Sequence, residues 1–505
     1  MNNIISMNNT DNTNSINITE TEKNEEITDK DLEVELDDIQ KVQIQDQIND
    51  INNKSKKLVD ELIENIGITK FTWKIYIILA LFILADGSEM IVISLITSKL
   101  GKLWNLTHSE KGLLGSSVFV GFFLGALTSG KFSDLHGRKP VFITGSCLCS
   151  VFAILSMFSP NLYVLILFRA CFGLGVGISI PAANSLATEI TPTKYRTWIL
   201  NLVGVFYAFG EIYAILCAKS FLDLENGFRV LLGVIAIPSI ISCILSIFIL
   251  ESPRYYFGSR QFEKGFDTLT IIIQSSYSNI VITDEMKTRI IEEEKIIEVH
   301  TSYSAVCKKQ YSLLTVKICI IFFCTAFCFY GLLYILPQIM EKSSSEIKGI
   351  TKEEADSKMY RGLIFSALAE IPSIIISSVL SNLKCLGRIR SMALGFICAS
   401  SAAFLSAIFY LNYLNILVPA MKFSLSLPYL IYIYTCEAYP TKIRSTAIGI
   451  TNSFNRIAGI STPIISQYIF ALSHQYPFIM YGCLCFIGFL SAISLPFETL
   501  NREID

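Results

Sequence analysis

The chain has 505 residues, of which 52% are hydrophobic and only 17% are charged; the mean hydropathy is +0.50. That is more apolar surface than a soluble core needs, and it is what a series of membrane spans requires. The formal net charge of -2 offers nothing to nucleic-acid phosphates, so no nucleic-acid partner is expected.

Residues 1–70 form a polar tail rich in Asn, Ile, Asp, Glu and Lys, with no signal-peptide core; it is expected to be disordered. From Ile39 to Ile66 a 3.6-residue apolar period predicts an amphipathic helix, read here as solvated rather than docked. Twelve apolar runs of spanning length follow. The first six lie at 74–97, 111–131, 140–159, 162–186, 198–218 and 229–250. The other six lie at 312–337, 360–380, 391–411, 414–436, 446–472 and 476–497. The expected architecture is an all-α membrane protein: twelve transmembrane helices in two six-helix bundles, 71–250 and 312–497, joined by a polar connector, 251–311, and followed by a short tail, 498–505.

The 14 cysteines lie inside these runs or at their ends, and none has zinc-finger spacing with a histidine pair, so they read as small buried hydrophobes. The four histidines (His108, His136, His300, His474) fall outside the runs and form no metal-ligand cluster. No phosphate-binding loop of the G-x-x-x-x-G-K-[ST] type is present, and the connector holds no convergent nucleophile and base. No metal, no cofactor and no enzymatic activity are expected.

Two halves of six spans are the pattern of a transporter built from repeats. The charged octet "EITPTKYR" at Glu189 recurs as "EAYPTKIR" at Glu437, 248 residues later, after the fourth and tenth runs. "SDLHGRK" at Ser133 recurs as "SNLKCLGRIR" at Ser381, between the second and third runs of each half, with Asn382 standing where the first half has Asp134. "LESPR" at Leu250 and "LPFET" at Leu495 close the two halves. Lys and Arg near the span ends tie on the short loops; the tails and connector break the tie toward the octet side. That side, with both termini, is expected to be cytosolic. The sequon at Asn105 then faces outward, too near the membrane for ready glycosylation.

Seven ionisable residues fall inside the runs: Asp86 and Glu89 in span 1, Arg169 in span 4, Glu211 in span 5, Glu370 in span 8, Lys422 in span 10 and Arg456 in span 11. Charges in a bilayer are costly, and such residues mark function more often than packing. The set points to a polar cavity between the halves at mid-depth. Acids there can carry protons and bases can hold an anionic solute. Tyr330 and Tyr334 of span 7 either line that cavity or pack ordinarily. The glycines of "RACFGLGVG" read as close helix packing rather than phosphate binding.

These residues resemble the major facilitator superfamily. "GKFSDLHGRKP", "RACFGLGVG", "ESPR", the two octets and "LPFET" are similar to its sugar-porter and organic-ion branches. "LADGSEMIVISL" and "EAYPTKIRSTAIGITNSFNRIAGISTP" are most similar to the synaptic vesicle glycoprotein 2 branch and, with the Asn/Ile/Lys-rich tail, to apicomplexan pantothenate transporters. The resemblance covers about residues 70 to 500.

It implies a secondary active carrier working by alternating access, expected as a monomer in the lipid bilayer. The plasma membrane is the expected location and a secretory-vesicle membrane the alternative. It implies a proton site at Asp86 or Glu89, with Asp86 set against Arg169. It also implies a solute site at Arg456, with Lys422, Glu211, Glu370, Tyr330 and Tyr334 around it. Two bases there favour a carboxylate-bearing anion such as pantothenate, moved with protons. A cytosolic gate is implied from Asp134, Arg138, Glu189, Arg196, Glu251, Arg388, Glu437, Arg444 and Glu498. Two alternatives stay open. Four acids allow a sugar or organic-cation carrier. A non-transporting vesicle-membrane protein with a relic fold would have had no need of seven mid-span charges.

Overall fold

The computed structural model describes residues 58–276, 282–294, 309–345, 351–383, 385–410, 413–439 and 441–500. The expected disorder of the first 57 residues, and the helix expected from Ile39 up to that point, lie outside the described residues.

The first bundle contains α2 (Lys70–Leu103), α3 (His108–His136), α4 (Arg138–Met157), α5 (Leu162–Ile190), α6 (Thr193–Phe221) and α7 (Gly227–Ser246). The connector carries α8 (Pro253–Gly258), α9 (Phe262–Gln274) and α10 (Asp284–Glu294). The second bundle contains α11 (Lys309–Ser345), α12 (Lys352–Leu380), α13 (Gly387–Ile408), α14 (Leu414–Leu425), α15 (Ile431–Ala438), α16 (Thr441–Leu472) and α17 (Tyr476–Ile493). Four spans start at a side-chain cap. Thr69, Thr107 and Thr351 cap α2, α3 and α12 in reciprocal capping boxes, and Asn161 caps α5.

Among the described residues, 11 helices are long and apolar enough to cross a membrane. The remaining bundle helix, α16, has 32 residues but carries Asn452, Asn455 and Arg456 in its middle, and so falls short on composition rather than length. The tenth span, expected at 414–436, runs from Leu414 to Ala438, but it is not one regular helix. A 3-10 turn at Leu427–Leu430 divides it into α14 and α15. Pro428 is the cause, since it donates no backbone hydrogen bond and its ring clashes with the preceding turn.

Packing follows the repeat. Within the first half α3 packs on α5, α4 on α5 and α2 on α6; within the second, α11 packs on α16, α13 on α17 and α13 on α14. The halves meet where α3 touches α16, where α6 touches α12, and where α2 touches α11. The first two contacts are one contact written twice, because α3 corresponds to α12 and α6 to α16. The glycine pattern of span 4 does serve close packing: a Cβ on Gly173 or Gly177 would strike the backbone carbonyls of Val118 or Phe122 on α3.

A second apolar cluster sits outside the bundles. Helix α1, residues 58–66, buries Val59, Leu62, Ile63 and Ile66 against Phe257, Phe266, Leu269, Ile272 and Ile290 of the connector helices. Arg254 Nη2 meets Asp60 Oδ1 at 2.6 Å beside it. The expectations of disorder up to residue 70 and of a solvated pre-membrane helix are therefore corrected for residues 58–66. The apolar period that looked too weak for docking finds its complement in connector residues nearly 200 positions later, which local reading could not supply.

Candidate functional site

A cavity of about 470 Å³ lies between the two bundles. Its deep end is at mid-depth, where Asp86 of α2, Tyr330 of α11 and Arg456 of α16 line it. It extends toward the octet ends of α6 and α12, past Asn201 and Ser377. On the opposite side the halves are joined. Tyr334 donates its hydroxyl to the Lys111 carbonyl at 2.6 Å, and Ser116 donates to the Ile460 carbonyl at 2.6 Å. Lys102 Nζ meets Glu341 Oε1 at 3.0 Å, and Ser98 also donates to Glu341. The state is thus sealed away from the octets, with its cavity on their side.

The seven mid-span charges sort into three groups. Arg169 Nη1 meets Glu89 Oε2 at 2.5 Å, with both side chains fully buried. Arg169 Nε also donates to Ser156 Oγ at 3.0 Å. This corrects the expected pairing of Asp86 with Arg169. Three residues of helix leave two side chains about 60° apart in azimuth, enough for Glu89 to face α5 while Asp86 faces the cavity. In the second group Lys422 Nζ is bound between Glu211 Oε2 and Glu370 Oε1, the latter at 3.0 Å. This cluster spans the halves, with Glu211 on α6 and the other two on α12 and α14. The third group is Asp86 and Arg456. Both line the cavity, and neither has an ion pair among the described residues.

Of the residues expected at a solute site, Arg456, Glu370 and Tyr330 line the cavity, while Lys422, Glu211 and Tyr334 do not. Lys422 and Glu211 neutralise one another beside it, and Tyr334 belongs to the outer seal. Sequence reasoning missed Tyr207, Tyr429, Tyr432, Phe122 and Phe329, which with Tyr330 supply the aromatic part of the wall. The Arg456 guanidinium lies 3.6 Å from the centroid of the Phe122 ring, a cation–π stack. Tyr432 donates to Asn452 Oδ1 at 2.9 Å and accepts from Asn455 at 2.6 Å. A signal did exist for some of these. Tyr429 and Tyr432 follow the span-breaking Pro428, and Asn452 and Asn455 make α16 the least apolar span.

The octets build the same assembly twice. Arg138 Nε meets Glu189 Oε1 at 3.1 Å, and Arg388 Nη2 meets Glu437 Oε1 at 3.0 Å. Arg138 reaches Asp134 at 3.5 Å; in the second half Arg388 Nη1 donates to Asn382 Oδ1 at 3.1 Å, so Asn replaces Asp without loss of the contact. Glu251 accepts from the backbone N–H groups of Arg138 and Lys139, both at 3.0 Å, and so caps α4. Glu498 caps α13 in the same way through Arg388 and Ile389, at 2.8 and 3.0 Å. Burial pushes the Glu251 carboxyl up from its ordinary value, against the pull of the Ser252, Lys139 and Arg138 backbone donors. The octet arginines turn back onto the carbonyls before the octet prolines, Arg196 onto Thr191 and Arg444 onto Tyr439. Those two positions also exchange roles between halves. The Tyr76 hydroxyl meets Thr191 Oγ1 at 2.7 Å, and Thr315 Oγ1 meets the Tyr439 hydroxyl at 2.8 Å.

These contacts correct the expected gate in one respect. Among the described residues, the pairs of Asp134, Arg138, Glu189, Glu251, Arg388, Glu437 and Glu498 each close within their own half. Arg196 and Arg444 bond within their own octets rather than to Glu189 and Glu437. In this state these octet residues set helix ends, and their described contacts do not tie the halves together.

The two loop glycines are needed for this. Gly137 and Gly387 have φ of 99° and 65°, and a Cβ on either would occupy the place of the capping carboxylate of Glu251 or Glu498. Gly137→Ala is expected to destabilise the protein by at least about 1 kcal/mol, from the left-handed backbone alone. Thermal unfolding in detergent would show this as a lowered Tm, and an unchanged Tm would contradict it.

The comparisons with known proteins agree with this geometry. The family described as "Sugar (and other) transporter" matches residues 97–505. The synaptic vesicle 2-related protein of Bos taurus is 28% identical over 463 residues, spanning 88% of this chain and 82% of the relative. The organic cation/carnitine transporter 7 of Arabidopsis thaliana is 27% identical over 489 residues, spanning 88% of this chain and 95% of the relative. In fold, the chain is similar to the partially occluded inward-open conformation of the xylose transporter XylE from E. coli, with a TM-score of 0.67 at 15% identity, covering 85% of this chain and 100% of that one. The expected twelve-helix fold and its major facilitator resemblance stand on these matches. Since the family match covers most of the chain, the chain belongs to the sugar (and other) transporter family of the major facilitator superfamily: a multi-pass membrane transporter of the sugar and organic-ion type, not an enzyme.

Proposed function

We propose that the protein is a secondary active carrier of a small carboxylate-bearing solute, with pantothenate as the leading candidate, driven by protons through alternating access. One observation carries this reading: Arg456 is a buried guanidinium at the deep end of the cavity, with no ion pair among the described residues. An unpaired charge in such a place calls for a partner, and a planar carboxylate fits a guanidinium in bidentate fashion.

Glu89 and Arg169 form the proton-coupled pair. A proton on Glu89 neutralises it, frees Arg169, and lets α2 and α5 shift relative to one another. The cycle then exchanges the outer seal for an equivalent seal at the octet ends. An inward proton gradient contributes about 1.4 kcal/mol per pH unit. The octet side and both termini are cytosolic, in keeping with the Lys and Arg of the tails and connector. The plasma membrane is the proposed location. The relatives named for synaptic vesicles make a vesicle membrane the alternative.

The test is uptake of labelled pantothenate, with other organic acids, sugars and cations, into liposomes holding the purified full-length protein. Pantothenate is expected to accumulate with an inward pH gradient and to equilibrate without one. Glu89→Gln is expected to keep solute exchange and lose the gradient-driven accumulation. Sugar or cation uptake with none of any acid would overturn the solute class; accumulation indifferent to pH would overturn the coupling.

A further inference from the structure

The charge pairing around the cavity defines the solute more closely. Five of the seven mid-span charges are consumed in two buried clusters, Glu89–Arg169 and Glu211–Lys422–Glu370. Glu370 lines the cavity, but its carboxylate is held by Lys422. What remains for a solute is one carboxylate and one guanidinium, Asp86 and Arg456. They are 6% and 8% exposed, and Asp86 Oδ1 and Arg456 Nε have no hydrogen-bond partner among the described residues. Two opposite charges face one cavity without pairing. In a space walled by hydrocarbon and aromatic rings, each such group is costly unless a partner arrives.

We infer that the cavity binds a dipolar solute, one carrying a carboxylate and a protonated or quaternary amine, with the carboxylate on Arg456 and the amine on Asp86. This rests on the reading that the cavity is the solute site; it gives Asp86 to the solute rather than to the proton, and it displaces pantothenate, whose nitrogen is an uncharged amide, as the leading candidate. The wall agrees. Tyr207, Tyr330, Tyr429, Tyr432 and Phe329 surround the space. Aromatic faces attract an alkylammonium, which a plain carboxylate would not use. Both ligand charges are then met by fixed groups, and the complex is neutral at mid-depth, where a net charge would oppose movement of the bundles.

The experiment compares matched probes on the purified full-length protein in detergent, by thermal stabilisation as a function of probe concentration. The probes are γ-aminobutyrate, butyrate and butylamine, and the same trio with two further methylenes. The amino acid of at least one trio is expected to bind about tenfold more tightly than its plain acid and its plain amine. Asp86→Asn is expected to remove the advantage of the amino acid over the plain acid; Asp86→Glu is expected to keep the advantage. If the plain acids bind as well as the amino acids, the inference falls and the carboxylate reading survives, provided that Arg456→Gln abolishes their binding. If Arg456→Gln changes nothing, the carboxylate reading falls too. Should Asp86→Asn fail to fold, the wild-type trios and Asp86→Glu still decide the question.

Discussion

Replacing Lys422 by Met is expected to lower the unfolding free energy by about 3–5 kcal/mol, the cost of leaving a buried charge without its partner. Lys422, Glu211 and Glu370 are 1%, 0% and 2% exposed, so water cannot step in. Two carboxylates would face one another where one ammonium stood. The triple replacement Glu211→Gln, Lys422→Met, Glu370→Gln is expected to recover most of the loss, since removing a buried cluster whole is often neutral. Thermal unfolding of the full-length protein in detergent separates these outcomes. If Lys422→Met matched the wild type, the cluster would not be ionised as drawn. The cluster also crosses between the bundles at mid-depth, between the outer seal and the octet ends. Both variants are therefore expected to slow transport, including the stable triple one.

Arg456→Gln is expected to behave in the opposite way: stable but inactive toward organic acids. Because Arg456 has no ion pair among the described residues, its loss strands no protein carboxylate held against it. What it removes is the partner for the solute. Loss of one member of a buried charge pair weakens binding by 2 kcal/mol or more, about 30-fold. Arg456→Lys should fall between. It keeps the charge but loses the planar stack on Phe122 and the bidentate geometry. Apparent affinity for labelled acid, measured as uptake against concentration in liposomes, reads this directly. An Arg456→Gln protein with unchanged affinity would sink the argument from solute charge.

The two experiments also separate two kinds of mid-membrane charge that look alike in the sequence. Lys422 and Arg456 are both single bases in apolar runs, and both were expected to hold an anion. Tertiary packing brings Glu211 and Glu370 into ion pairs with Lys422, while Arg456 forms none among the described residues and shares the cavity with Asp86. The same holds for Asp86 and Glu89, where closeness along span 1 hid their different neighbours. Tyr334 was a candidate for the cavity and became part of the seal, because α11 leans on α2 and α3 at its outer end. The octets were legible as repeats and as span ends, but their bonding was not. Each Glu goes to a loop arginine about 50 residues away, rather than to the Arg seven residues on.

The sequence by itself determined the class of protein, the number of spans, the repeat, and the set of ionisable residues at mid-depth. These follow from one-dimensional quantities: apolar run length, which the bilayer thickness dictates, and spacing, which duplication preserves. Only the tertiary structure decided which charges cancel and which stay open to a solute, where the tenth span breaks, and that residues 58–66 dock on the connector. Those depend on contacts between residues far apart in the chain, 211 positions in the case of Lys422 and Glu211. A buried charge is set by what surrounds it in space, since its energy is governed by partners within a few ångströms and not by neighbours along the chain.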